Sequence, residues 1–206
     1  MRTLSKILLL TTFVFAPFAK ASFEENAHRY MSGQDILWSL SMFFDFSSNV
    51  TNKSLCTELQ SLNETLAGGN SPVTGEPISP TPTQGTVLWI TGCVEEYFAV
   101  ENALTVDKVR AKRLLGEEFY NSVTDFRLRQ PWADVPEKLQ RTLIRHMVSA
   151  FLGSDDVLLD FGFIQNPDDF RELIFQAANA RTGASTREIV SMLAINFSVR
   201  DEFLSY

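Results

Sequence analysis

The sequence predicts an all-α protein, an irregular multi-helix bundle interrupted by a long Gly/Pro-rich loop. Apolar residues recur with the three- and four-residue spacing of amphipathic helices along most of the chain. Several of these runs begin with residues that cap helices and end at glycine. No stretch alternates apolar with polar residues as a half-buried strand does, and no Asn-Gly turn joins two apolar runs.

The first 21 residues have the layout of a secretory signal peptide. Arg2 and Lys6 form a short basic region, and residues 7–16 form an apolar run. This run of about ten residues is shorter than the roughly 20 that a membrane-spanning helix needs. The predicted cleavage site is marked by Ala19, Ala21 and Ser22. We therefore expect residues 1–21 to be removed on export, with an uncleaved N-terminal anchor as the alternative.

The mature chain is predicted to be acidic. The full sequence carries a net charge of −7, and removal of residues 1–21 takes away three basic residues and no acidic one, which leaves −10. This charge argues against nucleic acid or anionic lipid as a partner, because both require clusters of Lys and Arg. No later segment is long and apolar enough to span a bilayer. We therefore expect a periplasmic or secreted product with no transmembrane span after cleavage.

Residues 22–67 are predicted to form an N-terminal helical segment. Ser32 and Asp35 resemble a capping box, and a run of apolar residues at helical spacing follows them. The apolar residues of this first run are Ile36, Leu37, Leu40, Phe43 and Phe44. Those of a second run are Leu55, Leu59, Leu62 and Leu66. The pair Gly68-Gly69 ends the second run.

Residues 68–86 form the predicted Gly/Pro-rich loop. Eight glycines and prolines lie there among Ser and Thr residues. Such a stretch does not sustain a helix and has little apolar surface to bury. A loop is our preferred interpretation, and a proline-rich ligand for a partner protein is the alternative.

Residues 87–206 are predicted to form the main helical bundle, in one domain with residues 22–67. The helix signals in chain order are a helix over 87–103, a cap at Thr105, a helix over 117–128, Asp134 with Pro136 at the start of a helix that Gly153 ends, Asn166-Pro167, and a capping box of Ser185 with Glu188. The last three are the strongest, because each places a helix-starting residue directly before a periodic apolar run.

Cys56 and Cys93 are the two cysteines of the chain. An even number in an exported protein predicts that they form a disulfide. The loop closed would be about 37 residues long, which the chain-entropy model values at roughly 4 kcal/mol. The sequence has no Cys-x-x-Cys, so it offers neither a redox motif nor a haem-attachment motif. We therefore expect no metal and no cofactor.

Candidate catalytic residues do not form a recognisable motif. His28 and His146 are the two histidines, and neither has a second histidine within helical reach for a zinc pair. No Gly-x-Ser-x-Gly elbow is present, although a triad can assemble from residues distant in sequence. We expect His146 to be a structural or surface residue.

Adjacent carboxylates occur at Glu24-Glu25, Glu95-Glu96, Glu117-Glu118, Asp155-Asp156 and Asp168-Asp169. Most of these pairs fall at predicted helix starts, where negative charge is favourable.

Tryptophans are the other candidates for a binding site. Trp38, Trp89 and Trp132 have the side chain that lines many sugar and peptide grooves. Trp132 follows Pro131 before a helix and is the best candidate of the three for an exposed side chain. Partial burial in the core is nevertheless our preferred interpretation, and a groove-lining tryptophan is the alternative. Four sequons for N-glycosylation occur, at Asn49, Asn52, Asn63 and Asn196.

Together these observations predict an exported, non-catalytic helical protein that acts by binding a protein partner in the periplasm or cell envelope. One alternative is a hydrolase-type enzyme whose site is assembled only in the fold. Another is a subunit of an envelope complex.

Overall fold

The computed structural model describes residues 33–45, 84–101, 103–125, 127–155, 159, 166–200 and 203. These residues form α-helices and one short 3₁₀ turn at Trp132–Asp134, and no strand occurs among them. The α-helices are α1 (Gly33–Ser41), α2 (Gln84–Ala99), α3 (Ala103–Val106), α4 (Lys108–Leu115), α5 (Glu117–Ser122), α6 (Glu137–Leu152), α7 (Pro167–Asn179) and α8 (Thr186–Ser198). The prediction of an all-α fold is confirmed.

Helix α6 lies at the centre of the bundle and contacts α4, α5, α7 and α8. It is amphipathic, and its buried face includes Leu143, Met147 and Phe151. Burying each such side chain stabilises the fold by roughly 1.5–3 kcal/mol. The helix begins after Pro136 and ends at Gly153, whose φ of 91° is a left-handed conformation that glycine adopts without strain. The predicted end at Gly153 is therefore confirmed, whereas the predicted cap Asp134 lies in the 3₁₀ turn and the helix starts after Pro136.

Helices α7 and α8 begin at the residues that the sequence indicated. The Asn166 side chain accepts a hydrogen bond from the Asp168 amide, with Pro167 in the first turn of α7. At α8, the Ser185 side chain and Glu188 make the reciprocal hydrogen bonds of a capping box. The buried face of α8 packs on α2, through residues such as Ile189 and Phe197.

Several predicted helix boundaries were wrong. The helix predicted over 87–103 ends at Ala99. Helix α2 begins at Gln84, so the last three residues assigned to the Gly/Pro-rich loop 68–86 belong to a helix. Thr105 lies within α3 and is not the N-cap of α4. Asp107 is that N-cap, and its side chain accepts hydrogen bonds from the amides of Val109 and Arg110. The helix predicted over 117–128 ends at Ser122, because Val123 is extended and Leu128 has a φ of 54°.

Trp132 is buried in the core, with 1% of its surface exposed, as the preferred interpretation had it, and the alternative of an exposed Trp132 that lines a groove is wrong. Main-chain hydrogen bonds pull its loop onto the start of α8. The Trp132 amide donates to the Ala184 carbonyl at 2.8 Å, and the Thr186 amide donates to the Gln130 carbonyl at 2.9 Å. The side chain of Gln140 on α6 then donates to the Trp132 carbonyl at 2.8 Å.

Helix α1 and the residues that follow it share the core of the bundle. Phe44 is fully buried, with ring centroids 5.0 Å from Tyr97 and 5.9 Å from Phe98. Phe43 stacks on Phe151 of α6 at 4.4 Å. The described part of the N-terminal segment therefore packs against the main bundle. The helical run at 55–66 and most of loop 68–86 lie outside the described residues.

Candidate functional site

Several predicted site residues lie outside the described part of the chain. They are the cleavage-site residues Ala19, Ala21 and Ser22, the cysteine Cys56, the histidine His28, and the sequon residues Asn49, Asn52 and Asn63. The disulfide between Cys56 and Cys93 stays a prediction. Cys93 itself is completely buried on α2.

Two classes of site are missing from the residues that the structure describes. No group of three or more His, Cys, Asp or Glu side chains there is arranged to hold a metal ion. Within the same residues, no helix combines the length and apolar character needed to cross a membrane.

His146 makes a structural contact between α6 and the end of α4. Its Nε2 donates a hydrogen bond of 2.6 Å to the main-chain carbonyl of Arg113. The ring also packs on Gly116, where an added Cβ would lie 2.8 Å from the His146 Cγ atom. Gly116 has a φ of +78°, so the close approach and the backbone conformation both require glycine. This nitrogen of His146 is engaged by a main-chain carbonyl and not by a carboxylate.

A groove of about 270 Å³ lies between α6 and α7. Arg141 on one wall donates to Glu137 at 2.7 Å and to Glu172 at 2.6 Å, and its guanidinium lies 3.8 Å from the centre of the Phe175 ring. On the other wall, Arg171 pairs with Asp155 and Asp168.

Arg141 and Arg171 in this groove form ion pairs with carboxylates of the same protein. Hydrogen bonding from Arg141 lowers the pKa of Glu172, and hydrogen bonding to Glu172 raises the pKa of Arg141. Arg141 and Arg171 are thus occupied by acids from the protein itself, and the pair of Arg141 with Glu172 links α6 to α7.

A second feature is an exposed surface where α1 meets α4, and Trp38 is its most prominent residue, with 64% of its surface exposed. Met42 lies one turn further along, and its sulfur lies 3.9 Å from Nη1 of Arg113 on α4. Val109, one turn before Arg113, is 62% exposed. These four residues, Trp38, Met42, Val109 and Arg113, are called the α1–α4 surface below.

Arg110 links α1 to α4 beside this surface. Its Nε donates to the Ser41 carbonyl at the end of α1 at 2.8 Å, where a cation also complements the helix dipole. Its Nη1 pairs with Asp107 at 2.7 Å and lies 3.9 Å from Asp45. Because Asp107 also caps α4, one cluster sets both the start of α4 and the position of α1.

This cluster predicts a specific acid dependence of stability. Hydrogen bonds from the Arg110 and Val109 amides, and from the Arg110 side chain, lower the pKa of Asp107 below its ordinary value of 3.8. A lowered pKa contributes stability above pH 3.8 that disappears as the pH falls through the folded-state pKa. Asp107→Asn keeps the cap, since Asn also accepts at an N-cap, but removes the charge. We expect the wild type to melt higher than this variant at about pH 7, with the gap closing at about pH 2; a gap that stays constant would contradict the account.

Two basic residues next to the α1–α4 surface differ from Arg110 in their pairing. Lys108 and Arg113 are exposed, and within the described residues neither has an acidic side chain within ion-pair distance. The neighbouring Lys112 is paired with Glu117 at 3.0 Å. The surface therefore combines apolar side chains with positive charge that the described part of the protein does not neutralise.

The sequence contained a signal for Trp38 that the prediction did not use. Ile36, Leu40 and Phe44 recur every four residues and form the buried stripe of α1 and the turn after it. Trp38 is two residues from Ile36, about 200° around the helix, and therefore points away from that stripe. The favoured tryptophan was instead Trp132, whose burial depends on contacts with α8 that are distant in sequence.

Comparisons with models of known protein families, with curated proteins and with solved structures found no match for this chain. Its function must therefore be inferred from its own residues.

Proposed function

We propose that this is an exported, non-catalytic helical protein that binds a protein partner in the periplasm or cell envelope through the α1–α4 surface. The observation that carries the proposal is Trp38, a large apolar side chain held in solvent on a helix that Arg110 fixes to the bundle. Tryptophan, methionine and arginine are enriched at the centres of protein interfaces, and Trp and Arg dominate their binding energy.

The enzyme alternative has less support from the described residues. A triad needs a histidine oriented by a carboxylate and close to a nucleophile. Nε2 of His146 instead donates to the Arg113 carbonyl, and the ring packs on Gly116. A permanent place in an envelope complex remains compatible with the proposal, because the same surface would then form the subunit contact.

Trp38→Ala tests the proposed function. Because the side chain is 64% exposed, we expect the melting temperature to change little, by about 2 °C or less. Recovery of the native partner with the tagged protein from the envelope fraction is expected to fall about tenfold or more. Leu173→Ala on α7, where the side chain is 63% exposed, is the matched control and should leave recovery unchanged. Equal recovery with both variants would contradict the proposal.

A further inference from the structure

The residues around the α1–α4 surface carry information about the chemistry of its partner. Four of the six residues from 108 to 113 are basic, in a chain whose net charge is −7. Arg110 and Lys112 are paired with Asp107 and Glu117. Lys108 and Arg113 are left without an acidic partner in the part of the chain that the structure describes.

The position of Arg113 links this charge to the apolar residues. Its guanidinium reaches the Met42 sulfur at 3.9 Å, and Val109 lies one turn away on the same side of α4. Val106, 63% exposed, is the last residue of α3, three positions before Val109 in the sequence. A partner that covers Trp38 and Val109 would therefore place its own side chains next to Arg113, where a positive charge favours an acidic residue.

Other classes of partner fit less well. Nucleic acids and anionic membranes are held by many simultaneous Lys and Arg contacts, and the strength of that attraction grows with their number. Here two basic residues lack an acidic partner within the described residues, on an acidic protein that would repel a polyanion. A short protein segment needs only one or two ionic contacts beside an apolar anchor.

Building on the proposed function, we infer that the α1–α4 surface recognises a protein segment in which acidic residues flank apolar ones. Trp38 and Val109 contact the apolar residues of that segment. Arg113 and Lys108 pair with its carboxylates, which fixes its orientation and speeds its association.

Selection from a library of random twelve-residue peptides displayed on phage, with the purified mature protein as the target, tests this inference. We expect the selected peptides to contain Asp or Glu next to aromatic or aliphatic residues. Synthetic copies should bind about tenfold or more weakly to Arg113→Glu, and their affinity should fall as salt is raised. Arg145→Glu on α6 is the matched control: it reverses one exposed charge away from the surface and should leave binding unchanged.

The outcomes separate the two proposals. Two results would overturn this inference and leave the proposed function standing. In the first, the selected peptides require Trp38 but carry no acidic residues. In the second, they require Trp38 but bind Arg113→Glu as tightly as the wild type. A selection that yields no peptide whose binding depends on Trp38 would also overturn the inference. The proposed function is tested separately, by the recovery of the native partner with Trp38→Ala. The melting temperature of each variant shows whether the variant is still folded, so that a loss of binding is not mistaken for a loss of structure.

Discussion

Replacing Arg187 with alanine is expected to destabilise the protein by about 3 kcal/mol, a large fraction of the stability of a typical domain. Arg187 is a residue of α8, but its guanidinium lies at the end of α2. Nη2 donates to the carbonyls of Phe98 and Val100, both at 2.6 Å, and Nη1 donates to the carbonyl of Glu101 at 2.9 Å. Its own amide donates to the Leu128 carbonyl at 3.0 Å.

The expected loss follows from what remains in the variant. The carbonyls at the end of α2 have no partner within their own helix, so they lose a charged donor that also complements the helix dipole. In the wild type, the stabilisation that these hydrogen bonds provide is partly offset, because burial disfavours the charged guanidinium of Arg187 and lowers its pKa. A side-chain hydrogen bond from a charged group still contributes about 1.5–3 kcal/mol.

Thermal unfolding measures this effect. For a chain of this size, a loss of about 3 kcal/mol corresponds to a fall in melting temperature of roughly 6–12 °C. Arg187→Lys keeps the charge but not the planar set of donors, and is expected to fall between the wild type and the alanine variant. Arg187→Met keeps most of the apolar stem; if it melts like the wild type, the hydrogen bonds to α2 are not what stabilises this junction.

The second large effect is expected for Phe44→Ala, with a loss of about 3–5 kcal/mol. Phe44 is fully buried among the aromatic rings of Tyr97, Phe98 and Phe151, so truncation leaves a cavity between α1, α2 and α6. The hydrogen bond from Arg110 to Ser41 cannot replace those contacts.

The matched control for Phe44→Ala is Trp38→Ala, which truncates a larger side chain in the same segment but on its exposed side. Melting temperatures of the two variants should differ by roughly 6 °C or more. Similar melting temperatures would mean that α1 does not share the core of the bundle.

The fold class and the strongest helices could be predicted because their signals are local. Asn166 and the Ser185–Glu188 box each fix a helix start through side-chain hydrogen bonds within a few residues, and Pro136 restricts the backbone directly before α6. Boundaries that depend on the choice between two neighbouring caps, such as Thr105 and Asp107, were less predictable. Asp107 caps α4 because its carboxylate also pairs with Arg110, and that pairing is reinforced by the distant Ser41.

The candidate site could be predicted only in part, since it combines α1 and α4, which are about 70 residues apart in the sequence. The basic stretch at 108–113 was visible, but the sequence did not show which members are paired internally. The ranking of the tryptophans by exposure failed for the same reason, since Trp38 and not Trp132 is the exposed one. The loop of Trp132 is drawn into the core by Ala184 and Thr186, far along the chain.

Photo-cross-linking from position 38 tests the central claim most directly. A photoreactive phenylalanine analogue would replace Trp38 in the full chain, expressed in its native host and irradiated in intact cells. The same analogue at Leu173, equally exposed on α7, is the control. We predict a discrete cross-linked protein species from position 38 and none from position 173. Absence of any cross-link from position 38, or the same species from both positions, would contradict a binding surface centred on Trp38.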